Sequence, residues 1–309
     1  MRRLNYESKD LGFSFALATA FMIVASLVLS AIFGVETSGW KFWLMQGLYT
    51  AVIGSSAFVY AAISKTDVFA ATKLNKAPRV KHVVWGCVAV LFLVLCMSQL
   101  NALFLDCLER LGVDVPAVEL EDNLAGLIIC ACIIPAFCEE IVFRGTVAQS
   151  LYDFNKVAAV CIGGALFALF HANPAQTLHQ FVLGAFLTLL ALRSGSLWTS
   201  VIVHLFNNLF VVALSYTPLD VEDFWNLQAN DMWTLPVMIV GAIGFALCVF
   251  FYVRTTDSAW KTKNTTENTD AVTEGKQKTK ITASSMVTLL IAVAVCAVLW
   301  ISQLIPSAK

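Results

Sequence analysis

The chain is a succession of long apolar blocks, each ended by a short polar or charged stretch. A bilayer core of about 30 Å is crossed by about 20 apolar residues of helix. The apolar residues run in blocks and do not alternate with polar ones, so the expected fold is all-α, a polytopic membrane helix bundle of about eight to nine transmembrane helices. The predicted spans are 12–34, 42–64, 82–105, 124–152, 157–172, 177–193, 197–215, 234–253 and 285–305. Composition supports this. Of 309 residues, 59% are apolar and 13% charged, against about 25% charged in an ordinary soluble domain, and the mean hydropathy is +0.76. These values exclude a soluble enzyme, a disordered chain, a nucleic-acid binder and a secreted disulfide scaffold. The net charge of −1 gives no global field to attract an anionic partner.

Two of the blocks are irregular. The 124–152 stretch exceeds what a membrane needs and its second half is polar. The 157–172 stretch is short and ends at Asn173-Pro174, a helix stop. Residues 12–34 follow Arg2, Arg3 and Lys9 and are longer than a secretory h-region of about 7–15 residues, so an uncleaved first span is expected. Eight of the nine cysteines, all but Cys107, lie inside apolar blocks without CxxC spacing, as expected of small buried hydrophobes.

Lysine and arginine set orientation. The 65–81 loop carries Lys65, Lys73, Lys76, Arg79 and Lys81, and 254–280 carries Arg254, Lys261, Lys263, Lys276, Lys278 and Lys280. The 106–122 and 216–233 loops are acidic, with Arg110 their only base. Nine spans with a cytoplasmic N-terminus put every basic loop inside and every acidic loop outside. The organisation expected is N-terminal helices over 1–120, a core over 121–216, a further helix over 217–254, a polar Thr-rich cytoplasmic linker over 255–284, and a tethered last span over 285–309.

Polar groups inside spans carry the functional information, because a charge at a helix centre costs about 2.5–3.5 kcal/mol on insertion scales. Glu139 and Glu140 follow LIICACIIPAFC directly. Glu140 and Arg144 stand at i and i+4 and share a face, whereas Glu139 is turned about 100° away without that partner. Two carboxylates in unlike surroundings take unlike roles. His171 closes the FALFH run. Glu139 lies 16 residues before Asn155 in the polar Asp153–Lys156 turn, and His171 lies 16 residues after it. At about 1.5 Å per residue both stand about 24 Å from that turn on antiparallel neighbours, so they meet at one depth. His204 and Asn208 share a face at i and i+4 in mid-span. The alternative readings are acids at a span end, an interfacial histidine and a polar pair that glues helices. His179 and His82 are expected at the interface. There is no serine in GxSxG, no HExxH and no intramembrane aspartate pair. What is left is a glutamate and histidine able to hold and deprotonate water, with a second histidine and an asparagine to donate to an oxyanion. No cofactor or metal is expected.

EEIVFRG at Glu139–Gly145, FALFH at Phe167–His171 and HLFNN at His204–Asn208, in this order, resemble the three signatures of the CPBP family. These are the CAAX-protease and bacteriocin-processing membrane proteins, also called Abi proteins. HANPAQ and GSLWTSVIVH between the signatures are similar too, and the resemblance covers about residues 120–215. It implies an intramembrane glutamic endopeptidase. Eukaryotic members trim prenylated CAAX proteins; bacterial members are tied to bacteriocin maturation and self-immunity. By position, Glu139 would activate water with His171 helping to hold it, Glu140 and Arg144 would support the site, and His204 and Asn208 would form the oxyanion hole. The expected partners are a membrane-associated peptide or protein substrate and the lipid bilayer, with no nucleic acid, in a bacterial cell membrane. Two non-enzyme readings stay open: a proton-coupled transporter using the same polar cluster, and a membrane immunity or scaffold protein.

Overall fold

A computed structural model of the chain describes residues 2–34, 39–110, 123–215, 234–260 and 281–304. Among these, nine helices account for the architecture, and the β structure is an isolated bridge between Arg3 and Thr66. The helices are α1 (Asp10–Phe33), α2 (Gly39–Ile63), α3 (Val80–Arg110), α4 (Leu124–Ser150), α5 (Lys156–Phe170), α6 (Thr177–Ser194), α7 (Leu197–Ser215), α8 (Thr234–Thr255) and α9 (Ala283–Ser302). Eight are long and apolar enough to cross a membrane. The ninth, α5, has 15 residues, about 22 Å of helix, so the block with the weakest span signal is the short one. Large apolar side chains such as Leu27, Ile63, Leu235 and Ile291 are exposed on the helix faces, as lipid contact requires.

The helices form two groups around α4. On one side α1 packs against α2 and α9, and α2 runs along α4. On the other, α3 packs against α8, and α6 and α7 close the gap to α4. Two apolar cores result. One includes Phe15, Ile53, Phe143, Phe167 and Cys296; the other includes Leu93, Phe186, Leu190, Val203 and Tyr252. Helices α5 and α6 cross at small residues: a Cβ on Gly164 would stand 2.6 Å from the Phe181 carbonyl oxygen. In lipid, where apolar surface drives no association, such close backbone approach is what holds helices together.

The 65–81 loop and residues 254–260 gather with the N-terminal residues at one end of the bundle. The Arg3 N–H donates to the Lys65 carbonyl at 2.9 Å, and Trp198 Nε1 donates to the Leu74 carbonyl at 2.9 Å. Arg193 donates to the Val253 and Thr256 carbonyls, and Tyr152 donates to the Ala259 carbonyl at 2.9 Å. Residues 256–260, expected in the flexible linker, are therefore seated on the bundle. Residues 261–280, Asp114 through Asp122, and all of 216–233 lie outside the described residues.

The expectation of a merely tethered last helix is corrected. Ser285, Ala292 and Cys296 form a buried stripe on α9, and Ser285 Oγ accepts from the Gly12 N–H at 2.9 Å. His82 also departs from its interfacial expectation. It is 1% exposed, with Nδ1 2.9 Å from the Tyr252 hydroxyl, because the α3–α8 contact covers the span end where it sits.

Candidate active site

Helix α4 departs from regular α geometry on both sides of its middle. Residues Leu127–Ile133 and Phe143–Val147 are π-helical, and the α-helical stretch Ile134–Val142 between them carries both glutamates. Such bulges recur at functional sites because they re-aim the side chains that follow. Pro135 contributes, since it has no N–H to give to the Ala131 carbonyl four residues back. Asn208 Nδ2 on α7 donates to that carbonyl at 3.3 Å. One hydrogen of the Asn208 amide is thus committed to tying α7 to α4, and its Oδ1 accepts from Asn207 at 3.1 Å.

Glu140 and Arg144 are both fully buried and pair through Arg144 Nη1 and Glu140 Oε1 at 2.7 Å, as the i, i+4 spacing predicts. The guanidinium also donates to the Gly184 carbonyl at 3.0 Å and lies over the Phe167 ring, 4.1 Å from its centroid. Gly184 is required there. A Cβ at that position would stand 2.8 Å from the Phe167 ring and displace the aromatic surface on which Arg144 rests. Phe167 is a shared wall: its ring centroid is 4.6 Å from that of His171 and 6.0 Å from that of His204.

His204 Nδ1 is 3.0 Å from the same Glu140 Oε1 that Arg144 holds. A carboxylate paired with arginine only accepts, so Nδ1 carries the hydrogen. His171 Nδ1 is 2.7 Å from the Phe167 carbonyl oxygen, which also only accepts, so the hydrogen is on Nδ1 there too. Both rings therefore turn Nε2 toward Glu139. The separations from Glu139 Oε2 are 3.8 Å for His171 and 4.0 Å for His204, beyond a direct hydrogen bond and of water-bridging size. The Glu139 side chain is 19% exposed and that of His171 17%, against 0% for Glu140 and Arg144. One carboxylate faces an opening and the other is sealed behind it.

Glu139, Glu140, Arg144, His171 and His204 are brought together here, and the equal 16-residue arms do make Glu139 and His171 meet; Asn208 stands one turn beyond His204 on α7, against the Ala131 carbonyl. Sequence reasoning missed three neighbours. His179, expected at the interface, is half-buried and within electrostatic range of both His171 and His204, because the 171–177 reversal returns the chain toward the site. Tyr49 on α2 lies within range of Glu139. Ser200, one turn before His204, faces Glu140 and donates its hydroxyl hydrogen to the Leu197 carbonyl. His179 alone had a signal, its place eight residues after His171.

Residues 121–210 match the family described as Rce1-like, type II CAAX prenyl endopeptidase Rce1-like. The chain is also 29% identical over 107 residues to a Bacillus subtilis (strain 168) protein named "Putative membrane peptidase YdiL"; the match covers 34% of this chain and 43% of that relative. The chain thus spans less than half the length of the curated relative it matches. No solved structure matches the chain.

Proposed function

We propose that the protein is an integral-membrane endopeptidase of the CPBP/CAAX-protease family, whose Rce1-like model residues 121–210 match, and that it hydrolyses peptide bonds with a glutamate-activated water. The observation that carries the reading is the pair of imidazole Nε2 atoms turned on one oxygen of Glu139, at 3.8 and 4.0 Å. Glu139 is the base. It takes a proton from a water that His171 Nε2 helps to hold, and the hydroxide attacks the scissile carbonyl. The developing oxyanion needs donors. Asn208 has its second amide hydrogen, and His204 donates from Nε2 only as imidazolium, since Nδ1–H is already directed at Glu140. Glu140 is thus placed to support a charged His204, and Arg144 keeps Glu140 ionised. Glu139 then passes the proton to the leaving amine. The family description makes a prenylated CAAX peptide the first substrate to try, and a bacterial membrane with a cytoplasmic N-terminus is the setting proposed.

Glutamate and two histidines are also a zinc ligand set. Arg144 behind Glu140 disfavours a metal cation, while the Nδ1–H of His204 on Glu140 is an orientation that ligands and donors share, so metal analysis decides. The purified protein in detergent, assayed on a farnesylated CAAX peptide across a chelator series, is expected to keep its full rate in chelator. Stoichiometric zinc, with activity lost to chelation and restored by added zinc, would overturn the glutamate-base reading.

A further inference from the structure

The last helix stands outside the family-matched segment, yet it reaches the reversal that carries His171. It is seated at three depths. Ser285 Oγ accepts from the Gly12 N–H at 2.9 Å. Cys296 Sγ is 3.8 Å from Thr19 Oγ1. Trp300 Nε1–H donates to Thr177 Oγ1 at 2.7 Å. An indole near a span end ordinarily directs its N–H to the headgroup region. Here the N–H points inward to a hydroxyl.

That hydroxyl has a second bond. Thr177 Oγ1–H donates to the Asn173 carbonyl at 2.9 Å, and Asn173 Oδ1 accepts from the Ala175 N–H at 2.9 Å. The oxygen of Thr177 thus accepts from Trp300 and donates to Asn173, a chain in which each bond strengthens the next. Between Asn173 and His171 stands Ala172 at φ +47°, a left-handed backbone conformation that side chains with a Cβ disfavour. Such a residue persists only where its surroundings over-determine it. The clamp from α9 is one of those surroundings, and His171 is the next residue along.

We propose that Trp300 is a positioning residue for His171, acting through Thr177 and Asn173, so that the last helix is a working part of the site. The proposal's activity arm rests on the endopeptidase reading above; its labelling arm does not. The test uses the full-length protein with Trp300→Phe, Thr177→Val and Thr177→Ser. One readout is the rate of His171 modification by diethyl pyrocarbonate, followed by mass spectrometry of the His171 peptide, with buried His82 as an internal reference. The other is kcat and KM on an internally quenched farnesylated CAAX peptide. Trp300→Phe and Thr177→Val are each expected to speed His171 labelling, leave His82 unchanged and lower kcat about tenfold with little change in KM, the cost of a sub-ångström to ångström misplacement. Thr177→Ser, which keeps the hydroxyl, is expected to restore both. His171 labelling at the wild-type rate in Trp300→Phe and Thr177→Val overturns the proposal. Should Trp300→Phe fail to fold, Thr177→Val decides alone. If the wild type cleaves no peptide, the endopeptidase reading fails, and the labelling rates still decide this one.

Discussion

Among the described residues two arginines pair with a buried carboxylate, and the two clusters are built to opposite ends. At the basic end of the bundle, Arg3 grips Asp10 with two bonds of 2.9 Å. Tyr60 donates to Asp10 Oδ1 at 2.7 Å, and the Glu7 N–H donates to Oδ2 at 2.8 Å. Each Asp10 carboxylate oxygen has two donors. In the bundle interior, Glu140 Oε1 takes both Arg144 and His204, while Oε2 has no hydrogen-bond partner among the described residues. Beside it stand Glu139 and two Nε2 atoms that, among the described residues, approach Glu139 Oε2 only to 3.8 and 4.0 Å. The first cluster is closed and holds α1 to α2. The second is closed on one side and presents a surplus of basic groups on the other. A buried charge pair alone therefore marks no site; what sets the second cluster apart is the adjoining Glu139 carboxylate with two imidazole Nε2 atoms turned on it.

The contrast predicts unlike costs for like substitutions. Arg144→Ala strands Glu140 in the interior, and breaking such a pair costs about 3–5 kcal/mol. Expression and the melting temperature in detergent should both fall, and a normal melting curve would mean that Glu140 is not ionised by Arg144. Asp10→Ala should cost less, about 1–3 kcal/mol for lost charge-assisted hydrogen bonds, because Arg3 is partly exposed and keeps the Ser64 carbonyl at 3.3 Å. Cleavage per folded molecule should be unchanged in that variant; a loss of turnover without a loss of fold would make the two clusters one system. The smallest effect is topological. Reporter fusions at Lys263 and Lys309 should leave stability alone and report opposite sides of the membrane, with Lys263 cytoplasmic. Identical sides would show that α9 does not cross, and opposite sides with Lys263 outside would show that a span upstream has been miscounted.

Much of this was legible in the residues. Apolar block length located all nine helices, because lipid forces each crossing to satisfy its own backbone. The i, i+4 spacing of Glu140 and Arg144 foretold their ion pair, and the 16-residue arms about Asn155 foretold the meeting of Glu139 with His171. Other features depend on contacts that no local pattern encodes. The π-helical stretches flanking Ile134–Val142 were invisible, although Pro135 hinted at one disturbance. That Glu140 holds His204 as well as Arg144 depends on the α4–α7 packing. The seating of α9 was misjudged because the polar 255–284 segment suggested independence, whereas the buried Ser285–Ala292–Cys296 stripe fits a groove beside α1. His179 was read from its position near a span end, which says nothing about the direction the chain takes after Pro174.

The central claim is that the surplus carboxylate, and not the paired one, is the base. Glu139→Gln measures it most directly, because the amide keeps the shape and removes the basicity, and Arg144 keeps Glu140 as its ion-pair partner at 2.7 Å. The wild type and the variant, purified at matched yield and melting temperature, would be compared on a farnesylated CAAX peptide. Cleavage should fall by about 10²-fold or more in the variant, the scale of a lost general base, with expression and membrane insertion intact. Cleavage by Glu139→Gln within a few-fold of wild type would contradict the assignment.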